Sequence, residues 1–301
     1  MNPVSKPLLD ILHSGASYLD KKGVEEARLN MEYLLAHVLG CRRLDLYLRF
    51  AELLPETELA PLRELLRRRG EGEPLQHLLG NVDFCNHVFI CDHRGLIPRP
   101  ETEYLVEIVL KWLAGCKPAR LLDVGTGSGC LGISLALATG ASTVLVDISE
   151  EALDLARLNV SRLAGSAAIQ TLRSDLFEKV TGTFDLIVAN LPYIPREEIA
   201  TLSREVRRDP PLALDGGPVG TEIIFRLLED APMHLALEGR IAIEHAHDQC
   251  PAITQKAAVL GYRDLEVVCD LAGVQRFFLA KAPPAPPLVE EVLPSAEAPV
   301  S

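Results

Sequence analysis

The sequence predicts an α/β protein in which a mostly parallel sheet, covered on both faces, follows a small helical bundle. Apolar runs of strand length at residues 120–124, 143–146, 184–189 and 240–244 are separated by segments long enough for helices, the pattern of crossover-connected parallel strands. Upstream, Met31, Leu34, Leu35 and Val38 fall at i, i+3, i+4, i+7, and Leu59, Leu62, Leu65 and Leu66 repeat the stripe, which is helical spacing. Between the two regions, residues 82–84 and 87–90 read as a hairpin.

Breaks at Gly23, Gly40 and Pro55 divide the first 80 residues into about four helices, and one-sided helices hide their stripes only by packing together. The expected organisation is a helical domain over 1–80, a hairpin linker over 81–104, an α/β domain over 105–281 and a tail over 282–301. The tail is dense in Pro, Ala and Glu without an aromatic residue, so it is expected to be disordered. Arg67, Arg68 and Arg69 form the one dense basic cluster. It is read as a solvated helix end where cations favour the dipole, in preference to a docking site.

A net charge of −12, from 30 Lys and Arg against 42 Asp and Glu, opposes a sequence-independent grip on a nucleic acid backbone. A protein or small-molecule partner is favoured, with no direct nucleic acid contact. The 7 cysteines are scattered and form no C-x-x-C pair, which implies reduced thiols and no metal. No basic-then-apolar leader precedes Gly23, and no run reaches the ~18 apolar residues of a membrane span. The expectation is a cytoplasmic protein without a membrane partner.

The strand at 120–124 runs into Gly125-Thr126-Gly127-Ser128-Gly129 and then an apolar helix. Glycines there let a ligand lie against the backbone at the positive end of that helix. Asp147 closes the next strand, at the distance of a ribose-binding acid. Its alternative is a helix cap, a role for which Ser149 competes. Asp175 follows the third strand and is placed at the exocyclic amine of adenine or, at even weight, in a capping role. Phe177 is the expected apolar wall beside it, and Asp123 braces the turn or meets a cofactor amino group. Alone, this turn fits NAD as well as S-adenosylmethionine.

The fourth strand delivers Asn190-Leu191-Pro192-Tyr193 to the same crevice. A planar amide or amino nitrogen has a delocalised lone pair, so methyl transfer requires it to be held and aimed. Two acceptors on its hydrogens do this: the Asn190 side-chain oxygen and the Leu191 carbonyl, with Pro192 fixing the backbone and Tyr193 packing on the flat substrate group. No strong base is needed, because the methylated nitrogen becomes acidic. An NAD enzyme gains nothing from this tetrapeptide, so S-adenosylmethionine is the expected cofactor.

The order and spacing of Glu73 to Gly80, of Leu96-Ile97-Pro98-Arg99-Pro100-Glu101-Thr102-Glu103, of the glycine turn, of the tetrapeptide and of Ile243-Glu244-His245 resemble the release-factor glutamine methyltransferases, the HemK or PrmC family. The resemblance runs to about Lys281. It implies a Rossmann-like methyltransferase with a seven-stranded sheet, N5-methylation of the glutamine in the Gly-Gly-Gln loop of peptide chain release factors, and a helical domain that docks them. Carried over by position, cofactor contacts fall on Gly125, Thr126, Gly127, Ser128, Gly129, Asp147, Leu176 and Asn190. Arg99, Thr102 and Glu103 are expected to line the pocket, with a brace to a nearby acid as the alternative for Arg99. Family members usually carry Asn-Pro-Pro-Tyr. The leucine at 191 occurs also in adenine-N6 methyltransferases of ribosomal RNA, so RNA methylation and a non-catalytic release-factor-binding module are the competing readings.

Overall fold

The computed structural model describes residues 5–113 and 115–284, so the expected tail lies outside them from residue 285 onward. The chain opens with β1 (Lys6–Pro7), α1 (Leu8–Lys21) and α2 (Ala27–Val38). A 3-10 turn over Arg43–Leu48, β2 (Leu53–Leu54), α3 (Glu56–Gly70) and α4 (Leu75–Leu79) follow, with β2 pairing antiparallel to β1. Met31, Leu34, Leu35, Leu59 and Leu62 from the two helical stripes are buried together with Leu8 and Leu12 of α1 in one cluster. A Cβ at Gly15 would stand 2.3 Å from the Met31 sulfur, so the missing side chain is what lets α1 and α2 close on each other.

The basic cluster at the end of α3 splits. Arg67 pairs in solvent with Glu64 and Glu71, and Arg68 pairs with Glu73, as a solvated helix end should. Arg69 departs from that expectation. It is 5 % exposed and donates to Asn30 Oδ1 at 2.7 Å and to Glu205 at 2.7 Å. Successive helix positions are turned by about 100°, so neighbours in sequence face different surroundings.

A hairpin of β3 (Asn81–Phe84) and β4 (His87–Ile90) joins the bundle to the sheet. Its turn residues Cys85 and Asn86 both have positive φ, 49° and 62°, the conformation of tight hairpin turns that follow strand twist. Phe84 and Phe89 are buried edge to face, with centroids 5.9 Å apart. Next come α5 (Pro100–Leu113), β5 (Arg120–Val124), α6 (Cys130–Thr139), β6 (Ser142–Asp147), α7 (Glu150–Leu163), β7 (Ile169–Arg173) and β8 (Phe184–Asn190). The chain finishes with α8 (Glu222–Asp230), β9 (Leu235–Glu244), α9 (Cys250–Val259), β10 (Arg263–Cys269) and β11 (Gln275–Lys281).

Among the described residues these build a 7-stranded sheet in the order β10-β11-β9-β8-β5-β6-β7, with β11 antiparallel to both its neighbours. Alternation along β8 sends Leu186 and Val188 to the face covered by α5 and α6, and Ile187 and Ala189 to the face covered by α8 and α9. The segment between β8 and α8 is long, with 3-10 turns at Arg196–Thr201, Val206–Arg208 and Pro211–Ala213. It leans on the bundle: Arg204 and Arg208 donate to the Glu71 carbonyl, and Glu205 holds Arg69. Among the described residues no helix is long and apolar enough to cross a membrane.

Arg69 is therefore a tie between the bundle and the segment that follows β8. Arg69→Met keeps the aliphatic stem and strands Asn30 and Glu205. Chemical denaturation should show a loss of about 1–3 kcal/mol, because Glu205 is itself half in water and only the Asn30 bond is fully buried. Unchanged stability would mean the tie contributes nothing.

Candidate active site at the carboxyl ends of the parallel strands

Strand register builds the site. Val124 pairs with Val146 on one side and Ala189 on the other, Asp147 pairs with Arg173, and Asn190 pairs with Glu244. Gly125, Asp147, Asn190 and Glu244 thus reach the same edge of the sheet at one level. Since β6 lies to one side of β5 and β8 to the other, that edge is the switch point where open α/β sheets bind ligands. A cavity of about 330 Å³ opens there.

Gly125, Gly127 and Gly129 all take positive φ, at 73°, 53° and 83°, which favours glycine at each. A Cβ at Gly127 would meet no atom within 4 Å, so its backbone is bare toward open space. Gly129 differs: it caps α6, does not line the cavity, and a Cβ there would press on Ile133 at 2.8 Å. Its role is packing. Asp123 accepts from Thr126 Oγ1 at 2.6 Å and from the Gly132 amide at 3.0 Å, which makes it the brace of the turn. Burial raises its carboxyl to about 7.

Asp147 Oδ2 accepts from the Gly127 amide and Oδ1 from the Ser149 amide, both at 2.9 Å. Burial pushes its pKa up and these backbone bonds pull it back. Ser149 Oγ accepts from the Ala152 amide, so Ser149 is the cap of α7 and Asp147 remains beside the turn, lining the cavity. Thr126, Ser128, Asp175 and Leu176 line it too. The Asp175 carboxylate pairs with Arg226 at 3.0 Å and caps no helix. Phe177 is a correction: it points into the core, stacked on His234 at 4.7 Å, and Leu176, with φ 44°, takes the cavity position beside it.

At the other end of the cavity stand Asn190, Leu191, Pro192, Arg99 and Thr102. The Asn190 amide donates to Thr102 Oγ1 at 2.9 Å, and Thr102 donates to Glu244 Oε2 at 2.8 Å. With its nitrogen engaged, Asn190 keeps Oδ1 as a free acceptor. Leu191 is 4 % exposed and its side chain lies against Gly125, where a Cβ would come within 2.6 Å. Arg99 both lines the cavity and braces Asp209 at 2.5 Å, so its two expected roles coexist. Burial raises Asp209 to about 6 while Arg99 opposes the shift.

Two further expected pocket residues, Glu103 and Tyr193, fall elsewhere. Glu103 accepts from the Cys85 amide at 2.7 Å and ties the hairpin turn to α5. Tyr193 does not line the cavity; its hydroxyl stands 3.4 Å from Glu244 Oε1 and its carbonyl accepts from Gln249. Sequence reasoning passed over Asn159, which is fully buried on α7. It accepts from the Ile90 amide and donates to the Ile90 and Ser128 carbonyls, pinning the hairpin to the glycine turn. Arg226 of α8 and Leu212 and Asp209 of the segment before it were also passed over, since nothing local marks a residue that reaches the site from a distant part of the chain.

A glycine turn before a buried helix, an acid ending the next strand and Asn-Leu-Pro-Tyr at the switch point define a Rossmann-like methyltransferase. A family model described as the methyltransferase small domain matches residues 90–257, and one described as the PrmC N-terminal domain matches residues 10–80. The release factor glutamine methyltransferase of Rhodopirellula baltica is 39% identical over 282 residues, covering 89% of this chain and 94% of that protein. That of Chlorobaculum tepidum is 37% identical over 281 residues, covering 89% and 95%. The chain belongs to the release factor glutamine methyltransferase family, as the resemblance of its motifs implied. A methyltransferase structure from Pyrococcus furiosus, 20% identical with a TM-score of 0.51 over 65% of this chain and 88% of that one, shares the fold.

The buried carboxylates set a pH dependence. Asp123 and Glu244 are raised to about 7 and Asp209 to about 6, from unfolded values of 3.8, 4.5 and 3.8. Between these limits the folded state holds protons that the unfolded state has released, so stability falls as pH rises. The contribution of these three carboxyls is fully present below about pH 4 and is lost as pH rises to about 7, while buried His77 and His245, whose pKa values are lowered, act in the opposite sense below 6.5. In calorimetric scans Asp123→Asn should remove its share of that fall between about pH 4 and 7, and a variant whose pH dependence matches the wild type would contradict the assignment.

Proposed function

We propose that the protein uses S-adenosylmethionine to methylate N5 of the glutamine side chain in the Gly-Gly-Gln loop of peptide chain release factors. The observation that carries this reading is the Asn190 oxygen held free at the switch point, beside a bare glycine turn. The cavity fits the cofactor chemically. The Asp147 carboxylate suits a ribose diol, Asp175 and the apolar side chain of Leu176 suit an adenine, and the Gly127 backbone permits close approach. Its volume lies at the lower end of the range of about 300–1,000 Å³ for small-molecule pockets. When bound, the cofactor supplies an electrophilic methyl group on a positive sulfur.

The chain's own residues hold the nucleophile. A primary amide nitrogen offers two N–H groups, and Asn190 Oδ1 and the Leu191 carbonyl accept them. Both acceptors sit on backbone fixed by the end of β8 and by Pro192. Because these bonds strengthen as the nitrogen becomes positive, they favour the transition state over the bound substrate. The proton leaves afterwards to solvent or a nearby oxygen. The non-catalytic reading rested on Leu191, whose packing on Gly125 seats the tetrapeptide without a second proline. RNA methylation is disfavoured by the acidic balance of the chain.

Within this reading the bundle over residues 1–80 docks the release factor, the hairpin over 81–104 links it and residues 105–281 carry the chemistry. Translation termination puts the protein in the cytoplasm.

Incubation with release factor and S-adenosylmethionine should add one methyl group to the Gly-Gly-Gln peptide by mass spectrometry. Asn190→Ala should slow this by about 10²-fold or more with cofactor affinity nearly unchanged, whereas Asp147→Ala should weaken cofactor binding by about tenfold or more. Full activity in Asn190→Ala would remove the assigned role.

A further inference from the structure

We propose that Glu244 is a positioning residue that, through Thr102, fixes which way round the Asn190 amide stands and so restricts the site to nucleophiles that bring N–H donors. The inference rests on the methyltransferase reading above and adds a part that the tetrapeptide alone does not contain.

Glu244 is 1 % exposed and Thr102 is 3 % exposed, so neither finds a substitute partner in water. A threonine hydroxyl has a single hydrogen, and here it goes to Glu244 Oε2 at 2.8 Å. What Thr102 Oγ1 has left is lone pairs, and among the described residues it is the NH2 end of Asn190, at 2.9 Å, that satisfies them. Oδ1 is thereby turned outward. Reversing the amide would set its oxygen against the lone pairs of Thr102 and its NH2 against the incoming N–H groups, two mismatches in a partly buried site.

The fold makes this relay without a loop. Glu244 and Asn190 are register partners on adjacent parallel strands, so their side chains leave the sheet on the same face. Thr102, in the first turn of α5, lies over both. Tyr193 reaches the same carboxylate from the far end of the tetrapeptide, at 3.4 Å from Oε1. The charged groups acting on Glu244 are Arg276 of β11, which favours its ionised form, and Glu101 of α5, which opposes it. His245, next in sequence, is buried, and burial lowers its pKa.

Burial lifts the Glu244 carboxyl to about 7. A protonated Glu244 has a hydrogen to give, which frees the Thr102 hydroxyl to rotate toward Asn190 and removes the preference for one amide orientation. The relay is complete above about pH 7 and is lost as pH falls through that value.

Thr102→Val, nearly isosteric, should lower kcat by about tenfold or more while leaving KM for the release factor and cofactor affinity within about twofold, and Thr102→Ser should restore most of the loss. Glu244→Gln still accepts from Thr102 through its amide oxygen but cannot titrate, so the acid limb of the kcat profile near pH 7 should disappear. Independently of turnover, the Asn190 side-chain amide 15N signal should titrate near pH 7 in the wild type and not in Glu244→Gln. Wild-type kcat in Thr102→Val, or an acid limb and an amide titration unchanged in Glu244→Gln, would overturn the relay. Should Glu244→Gln melt below assay temperature, the Thr102 pair decides alone. A wild-type protein that methylates no release factor would sink the functional reading, while the amide signal would still judge the relay.

Discussion

The parallel register of four neighbouring strands is the constraint from which the site follows. With Val124 opposite both Val146 and Ala189, the residues that end those strands cannot avoid meeting. Gly125, Asp147 and Asn190 come from distant parts of the chain, yet ladder hydrogen bonds fix their heights to a fraction of a residue step, about 3.3 Å. A slip of one residue would do more than displace them, since it would turn Asn190 to the opposite face of the sheet and away from Thr102. Sheet burial on both faces forbids such a slip, because Leu186 and Val188 would exchange sides with Ile187 and Ala189, each pair of which already fills its own cluster. The apolar core thus sets the precision of the polar site.

That precision carries a cost in buried polar groups. Asp123, Glu244 and Asn159 are all at or below 1 % exposure, and taking such groups out of water is unfavourable unless every bond is made. Glu244 holds the Thr102 and Tyr193 hydroxyls, and the other two hold the glycine turn and what packs on it. Asp123 ties Thr126 and Gly132 across the glycine turn, and Asn159 joins the hairpin to Ser128. Gly132 would not accept a Cβ, which would stand 2.4 Å from Leu145 and 2.7 Å from Asp123, so α6 runs as close to β5 and β6 as its backbone allows. Apolar replacements of the carboxylates would remove the desolvation cost and with it the turn's fixed shape.

What could be read from the sequence was whatever depends on local periodicity. The two helical stripes, the hairpin at 82–84 and 87–90, the strand at 120–124 and the cap at Ser149 all appear where the residue pattern puts them. Direction was harder than position. Thr102 and Glu103 are adjacent on α5, yet one enters the cavity and the other reaches back to the Cys85 amide; Leu176 and Phe177 divide in the same way between cavity and core. A difference of about 100° per residue on a helix, or a single positive φ as at Leu176, decides such pairs, and neither is visible in composition. Partners distant in sequence were not legible. Asn159 acts 31 and 69 residues away, and Arg69 meets Glu205 136 residues on. The edge strand β10 carries Arg263, Asp264 and Glu266 and is half exposed along its length, so it lacks the apolar run that announces a buried strand.

Leu191 shows how packing can stand in for a rigid backbone. A proline in its place would restrict the unfolded chain and stabilise the fold by about 0.4–1 kcal/mol where the geometry allows. Leucine forgoes that restriction, but its side chain is buried to 4 % exposure in the cluster beneath the glycine turn, and full burial of a leucine contributes about 1.5–3 kcal/mol. The second effect is the larger, so the Leu191 carbonyl is held by what its side chain touches. The anchor is Gly125, whose missing Cβ makes the room. The glycine turn and the residue whose carbonyl is proposed as an acceptor therefore share one contact surface, and a displacement of either is transmitted to the other. In the proposed methyl transfer the donor and the nitrogen must be aligned along one axis, and a leucine wedged against the glycine turn ties together the two sides of the cavity on which they would lie.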